Sequence, residues 1–311
     1  MKKFWSYTLH IVLFVLTFFT TTLAGVMWLN KDPLELANFW YGLPYAISLL
    51  SILSAHEFGH YFAARYHGIA TTLPFYIPAP PFLVNPFGTL GAVIRIRSSW
   101  TSKKALFDIG SAGPIAGFIV TIIILIYGFL TLPDKSYIYT IHPEYLKLDH
   151  FPTEGLTFGN SLFFMGISEL FSGSNFVPPM NEVYHYPFLC VGWFGLFVTA
   201  LNLMPVGQLD GGHILYALVG GKKQAVLAKI FFGLLITAGV LSLIPFISGK
   251  LYLASTGWLV WALILYFVIK IKHPEINDEA ELTPNRKILG WLTFCIFILT
   301  FPPIPFIDFP R

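Results

Sequence analysis

Residues 54–68 read SAHEFGHYFAARYHG and close an apolar run that begins near Tyr41. His56 and His60 stand one helical turn apart, so on an α-helix both imidazoles leave the same face. Glu57 lies about 100° further round, within reach of a water held there. Two nitrogens and a neighbouring carboxylate are a donor set suited to catalytic zinc. An HExxH pattern by itself arises by chance, and a single buried histidine is ordinarily a hydrogen-bonded core residue. Placement decides between the two. Charged groups inside a membrane span cost about 2.5–3.5 kcal/mol each on insertion scales, and ionisable residues kept there serve function by default.

The rest of the chain makes that run a span. Of 311 residues, 55% are hydrophobic and only 11% charged, which excludes an ordinary soluble domain. A spanning helix needs about 20 mostly apolar residues, and apolar segments occur at 9–29, 41–64, 106–132, 187–204, 225–247, 251–269 and 288–307. The expected fold is an all-α polytopic membrane protein with about six or seven transmembrane helices. It forms one domain over 1–311, with a core at 41–221, an outer loop at 133–186 and C-terminal helices within 225–307. Lys2 and Lys3 ahead of Leu9–Leu29 resemble a signal peptide, but the run is long enough to span and lacks a clean small-x-small cleavage site, so it reads as a retained helix.

Of the 19 Lys and Arg residues, 14 fall on the side of the N-terminus, while Lys31, Lys135, Lys147, Lys250 and Arg311 fall on the other. The positive-inside rule then predicts a cytoplasmic N-terminus and an outer C-terminus, and the membrane expected is a bacterial inner membrane. The net charge of +3 is divided by membrane side rather than gathered in a patch, so the lipid bilayer is a partner and no nucleic acid is implied. Cys190 and Cys295 lie in apolar runs and read as packing residues, not as a disulfide framework.

Catalytic zinc takes three protein ligands and keeps a position open for water. The best third ligand lies in TALNLMPVGQLDGGHIL, Thr199–Leu215, where Asp210 follows an otherwise uncharged run. Pro205 breaks the helix, and Gly207, Gly211 and Gly212 permit unusual backbone angles, so Asp210 can be presented from irregular backbone toward His56 and His60. The plainer reading is a helix-ending Asp at the cytoplasmic boundary near Lys222 and Lys223.

HEFGH at His56–His60 together with NLMPVGQLDG at Asn202–Gly211 resembles the paired signature of the site-2 protease family, the M50-like intramembrane zinc metalloproteases. GSAGPIAG at Gly110–Gly117 resembles the small-residue stretch that the family carries between them. The resemblance covers about Tyr41–Gly221. It implies that His56, His60 and Asp210 bind zinc, that Glu57 is the general base and that Asn202 helps stabilise the oxyanion. It also implies hydrolysis of transmembrane protein substrates in regulated intramembrane proteolysis. No PDZ insert and no nucleotide-sensing domain is recognisable in the sequence. From the residues alone, Asn202 serves equally well as an interhelical hydrogen-bond donor, and Gly110, Gly113, Pro114 and Gly117 read as a close helix contact.

The connection from Gly68 to Ser102 opens with Pro74, Pro78, Pro80, Pro81 and Pro86 and continues GTLGAVIRIR from Gly88 to Arg97. Alternation of Val93, Arg95 and Arg97 against Ala92, Ile94 and Ile96 predicts a short strand or hairpin at the membrane surface. It would either capture an extended substrate segment by edge addition or close the cytoplasmic face structurally. The outer loop predicts an interfacial helix near Ser161–Phe171. The other histidines, His10, His67, His142, His150, His185, His213 and His273, show no convergent spacing, and of these His213, three residues after Asp210, is the one placed to support the site or to lie at the interface. A competing function is a membrane metal transporter or metal-binding protein holding an ion with the same ligands. Glu57 discriminates, because a transport site needs no base beside its first histidine.

Overall fold

A computed structural model describes residues 2–97, 102–152, 155–173, 176–243, 255–276, 278 and 280–309. Ten helices are formed among them: α1 (Lys2–Trp28), α2 (Phe39–Tyr66), α3 (Lys103–Leu130), α4 (Ser136–Ile141), α5 (Leu162–Ser172), α6 (Pro187–Asn202), α7 (Asp210–Val219), α8 (Gly221–Leu241), α9 (Gly257–Ile264) and α10 (Pro284–Thr300). Two antiparallel pairs accompany them, β1 (Phe75–Pro78) with β2 (Thr89–Val93), and β3 (Gly155–Phe158) with β4 (Phe306–Phe309). The break expected between 247 and 251, with Lys250, lies outside the described residues, as does Arg311.

Among the described residues, four helical stretches are long and apolar enough to cross a membrane: Tyr7–Trp28, Leu36–Tyr66, Lys103–Leu130 and Gly221–Leu241. Their outward faces carry large apolar side chains such as Ile11, Ile47, Ile123 and Leu234, the surface that a helix turns to lipid. The protein is an integral membrane protein, mostly helical. The shorter α6 is enclosed by its neighbours: every residue from Leu189 to Leu201 except Val198 is buried.

Close helix contact is built from glycine. A Cβ on Gly25 would stand 2.7 Å from the Gly42 carbonyl oxygen, which binds α1 to α2. One on Gly59 would meet the Ala112 oxygen at 2.6 Å, bringing α2 onto α3. In α6, Gly195 abuts Thr121 of α3 and Ile52 of α2. The small stretch at Gly110–Gly117 is therefore a packing surface, as its spacing predicted.

Polar contacts fix which helix ends share a side. Arg286, at the start of α10, holds Asp108 of α3 with two bonds, Nε to Oδ1 at 2.7 Å and Nη2 to Oδ2 at 2.8 Å. His67, just past α2, reaches the same carboxylate at 2.8 Å. At the opposite side, β4 pairs with β3 from Phe158↔Phe306 to Gly155↔Phe309. There Phe158, Trp193, Phe194 and Phe306 form an aromatic cluster, and Trp193 Nε1 donates to the Gly159 oxygen at 2.7 Å.

The hairpin forms, but it does not stay at the surface. Its register, Phe75↔Val93 to Pro78↔Thr89, carries Ala92 inward and Val93 outward, matching the alternation in the sequence. Along α1, the Pro74 oxygen accepts from His10 Nδ1 at 2.9 Å, and the Gly88 oxygen accepts from Thr20 Oγ1 at 2.6 Å. Ten helical residues separate those two levels, so the hairpin runs about 15 Å along the helix. Tyr45 of α2 donates its hydroxyl to the Phe87 oxygen at 3.2 Å. Side chains from two helices thus meet loop carbonyls that lipid would leave unsatisfied.

Candidate active site

α2 carries His56, Glu57 and His60 on its buried face, in the half nearer Tyr66. α6 stops at Asn202, where the chain turns through Met204 and Pro205 before α7 opens at Asp210. Gly207, at φ +56, lies against the Lys270 carbonyl in a space with no room for a Cβ, and Gly211 and Gly212 pack as tightly on the turn itself. The irregular backbone expected around Asp210 is present, and it ends with Asp210 in the first turn of a new helix.

The turn brings the carboxylate to the two imidazoles. His56 Nε2 and His60 Nε2 are 3.0 Å apart, and Asp210 Oδ2 lies 3.4 Å from the first and 3.3 Å from the second. Donor atoms about 2.0–2.1 Å from a tetrahedral zinc ion stand about 3.3 Å from one another, so this triangle has the size and the chemistry that zinc requires. His60 Nδ1 is 2.7 Å from the Ile109 carbonyl oxygen. A carbonyl only accepts, so Nδ1 carries the proton and Nε2 presents its lone pair to the cluster.

α3 is shaped around these rings. A Cβ on Gly113 would collide with the His60 imidazole, and one on Gly117 would touch His56 Cβ at 3.3 Å. Gly110 admits the start of α7, where a Cβ would stand 3.0 Å from His213 Cβ. Glu57 is buried beside the cluster, near the backbone N–H of Ile94 that follows β2. Asn202 places its amide nitrogen 3.5 Å from His56 Nε2, at the rim of the same group. All five residues singled out in the sequence therefore gather in one place.

The chain matches the model of peptidase family M50 over residues 44–246. It belongs to that family. Its curated relatives include the "Probable zinc metalloprotease EGY2, chloroplastic" of Oryza sativa subsp. indica, 26% identical over 94% of this chain and 49% of the relative. The "Probable zinc metalloprotease EGY1, chloroplastic" of Arabidopsis thaliana is 27% identical over 96% and 54%. The "Probable zinc metallopeptidase EGY3, chloroplastic" of the same plant is 29% identical over 96% and 49%. The chain thus spans about half the length of these relatives. No solved structure matches it.

Two histidine pairings escaped the sequence reading. His213 turns to His273, Nδ1 to Nε2 at 2.7 Å, rather than joining the triangle. His142 and His185 meet within the 133–186 connection beside Glu182. Neither pairing follows a helical repeat, so spacing carries no trace of them.

Proposed function

We propose that this M50 member is a zinc metalloendopeptidase that hydrolyses peptide bonds of transmembrane protein substrates within the bilayer, in regulated intramembrane proteolysis. The observation that carries the reading is the triangle of His56, His60 and Asp210 donor atoms, 3.0–3.4 Å on a side, set beside the buried Glu57. In this reading His56, His60 and Asp210 are the metal ligands. Zinc held there would supply a Lewis acid that acidifies a water and polarises the scissile carbonyl.

Glu57 accepts the water's proton and returns it to the leaving amine. The Asn202 amide donates to the oxygen on which charge develops. A helical substrate has its peptide groups hydrogen-bonded, so it must be locally extended to reach these groups. The β2–Arg97 segment, whose Ile94 N–H lies against Glu57, offers an edge for that extended stretch. The counter-reading is a purely structural hairpin between α1 and α2.

The whole of 1–311 acts as one domain in this account, with the core at 41–221, the outer loop at 133–186 and the C-terminal helices in 225–307. Six or seven spans are reached by adding α6, α9 with its following turn, and α10. Support for α10 comes from its ends, Arg286 bonded on the Asp108 side and β4 paired on the opposite one. The N-terminus and the mouth of the site are cytoplasmic, supported by the Lys and Arg asymmetry and by His60 lying about 8 Å of helix from Arg65. The membrane is a bacterial inner membrane in this reading, whereas the plant relatives are named as chloroplastic proteins. Alkaline phosphatase fused after Leu132 is then active and after Ser102 inactive, and the opposite pattern reverses the orientation.

Glu57→Gln tests the function directly. Cleavage of a single-span substrate is lost while zinc stays bound. Retained cleavage removes Glu57 as base, and an ion-transport activity untouched by the substitution favours the transporter.

A further inference from the structure

On the side away from Glu57, a second group of side chains has the geometry of a metal centre. His142 follows α4, and Glu182 and His185 lie in the turn that leads into α6. His142 Nε2 and His185 Nε2 face each other at 3.0 Å. Glu182 Oε2 stands 3.8 Å from the first and 3.6 Å from the second. Glu182 is buried at 1% exposure, and this oxygen accepts no hydrogen bond.

The far side of each ring fixes what faces inward. His185 Nδ1 is 2.6 Å from the Trp28 carbonyl oxygen at the end of α1, which only accepts, so Nδ1 is the protonated nitrogen. His142 Nδ1 lies 3.0 Å from Glu144 Oε1 and donates to it. Both Nε2 atoms then present lone pairs to one another and to a bare carboxylate oxygen. A proton between the imidazoles would still leave Glu182 Oε2 unsatisfied, whereas one cation answers all three acceptors. Tyr145 holds the group together, stacked on the His142 ring with centroids 4.6 Å apart and donating its hydroxyl to Glu182 Oε1 at 3.0 Å. Asn181 Nδ2 also reaches Oε1, at 3.4 Å.

We propose that His142, Glu182 and His185 bind a second zinc ion, which clamps the end of α1, the segment after α4 and the lead into α6 on the membrane face opposite the M50 site. Two imidazoles and a carboxylate suit zinc rather than calcium or magnesium, which take all-oxygen ligand sets. The donor set is the same as at the first triangle, yet among the described residues no group in the position of Glu57 accompanies it, so the role assigned is structural.

The test is zinc content of the full chain, purified in detergent, by mass spectrometry, in a His56→Ala/His60→Ala background that removes the first site. One zinc per chain remains, and adding His142→Asn or the isosteric Glu182→Gln abolishes it. Zinc at a hundredfold excess over its Kd raises the melting temperature of the background protein by about 5 °C, and of the His142→Asn derivative not at all. A background protein of native helical content that holds no zinc and melts at the same temperature with and without it overturns the proposal. If zinc content is instead the same in wild type and background, it is the assignment of His56 and His60 as ligands that fails.

Discussion

His60 donates its Nδ1–H to the Ile109 carbonyl oxygen at 2.7 Å. The bond is possible only because Gly113, one turn further along the same helix, leaves space for the imidazole that a Cβ would occupy. Gly113→Ala therefore displaces His60, and outer-shell losses at metal sites run about 10–100-fold in affinity or activity. Zinc content and cleavage should fall together. Gly166→Ala in α5 is the control: nothing lies within 4 Å of the added Cβ, and replacing a helical glycine stabilises by about 0.5–1 kcal/mol. Equal effects at the two positions would count against the packing account.

Asn202 stands 3.5 Å from His56 Nε2, where an oxyanion donor is wanted. Loss of one such donor costs about 10²–10³ in kcat, or about 2.7–4 kcal/mol. Asn202→Ala is expected to lower kcat in that range with zinc content and melting temperature little changed. A variant that melts early but keeps its kcat would make Asn202 a packing residue instead.

Asp108 and Arg286 join the starts of α3 and α10 through a two-bond fork, with both side chains about one-fifth exposed. Partial exposure screens the pair, and its planar geometry recovers part of that loss. A double-mutant cycle with Asp108→Asn and Arg286→Ala should give a coupling of about 1–2 kcal/mol. Arg286→Lys cannot rebuild the fork and should restore less than half of it. Additive losses would leave α10 held by its apolar face alone.

Substitution by proline along the second strand separates the two readings of the hairpin. Val93→Pro should cut cleavage at least tenfold while zinc stays bound, because proline distorts the edge that an added strand would use, whereas Ile94 is left unchanged because its N–H lies against Glu57. Unchanged cleavage would leave the hairpin a structural closure.

The sequence exposed those parts of the site that obey a short-range rule. His56 and His60 share a face by helical spacing, and Asp210 stood out as a lone charge after a long uncharged run. Gly110–Gly117 was legible as a close contact, but the identity of the partner, the imidazoles themselves, depends on α3 lying along α2. The pairing of Gly155 with Phe309 and the meeting of His142 with His185 are fixed by tertiary packing, which leaves no periodic mark. Of the hairpin's two strands, only the second was legible from alternation, and only at its Ala92–Val93 end. The hairpin's descent along α1 was not, because it depends on single side chains, His10, Thr20 and Tyr45, that meet its carbonyls. The run read as one apolar segment at 288–307 divides into α10 and β4, since Pro302, Pro303 and Pro305 cannot continue a helix.

The central claim is that His56, His60 and Asp210 together hold one zinc ion beside Glu57. Crystals of the Glu57→Gln protein, measured at the zinc absorption edge, test it most directly. The account predicts an anomalous peak within coordinating reach of both Nε2 atoms and of Asp210 Oδ2, with none there in Asp210→Ala/His56→Ala crystals. Zinc-replete crystals with no peak between those three side chains, or with one bound to the imidazoles while Asp210 points away, would contradict it.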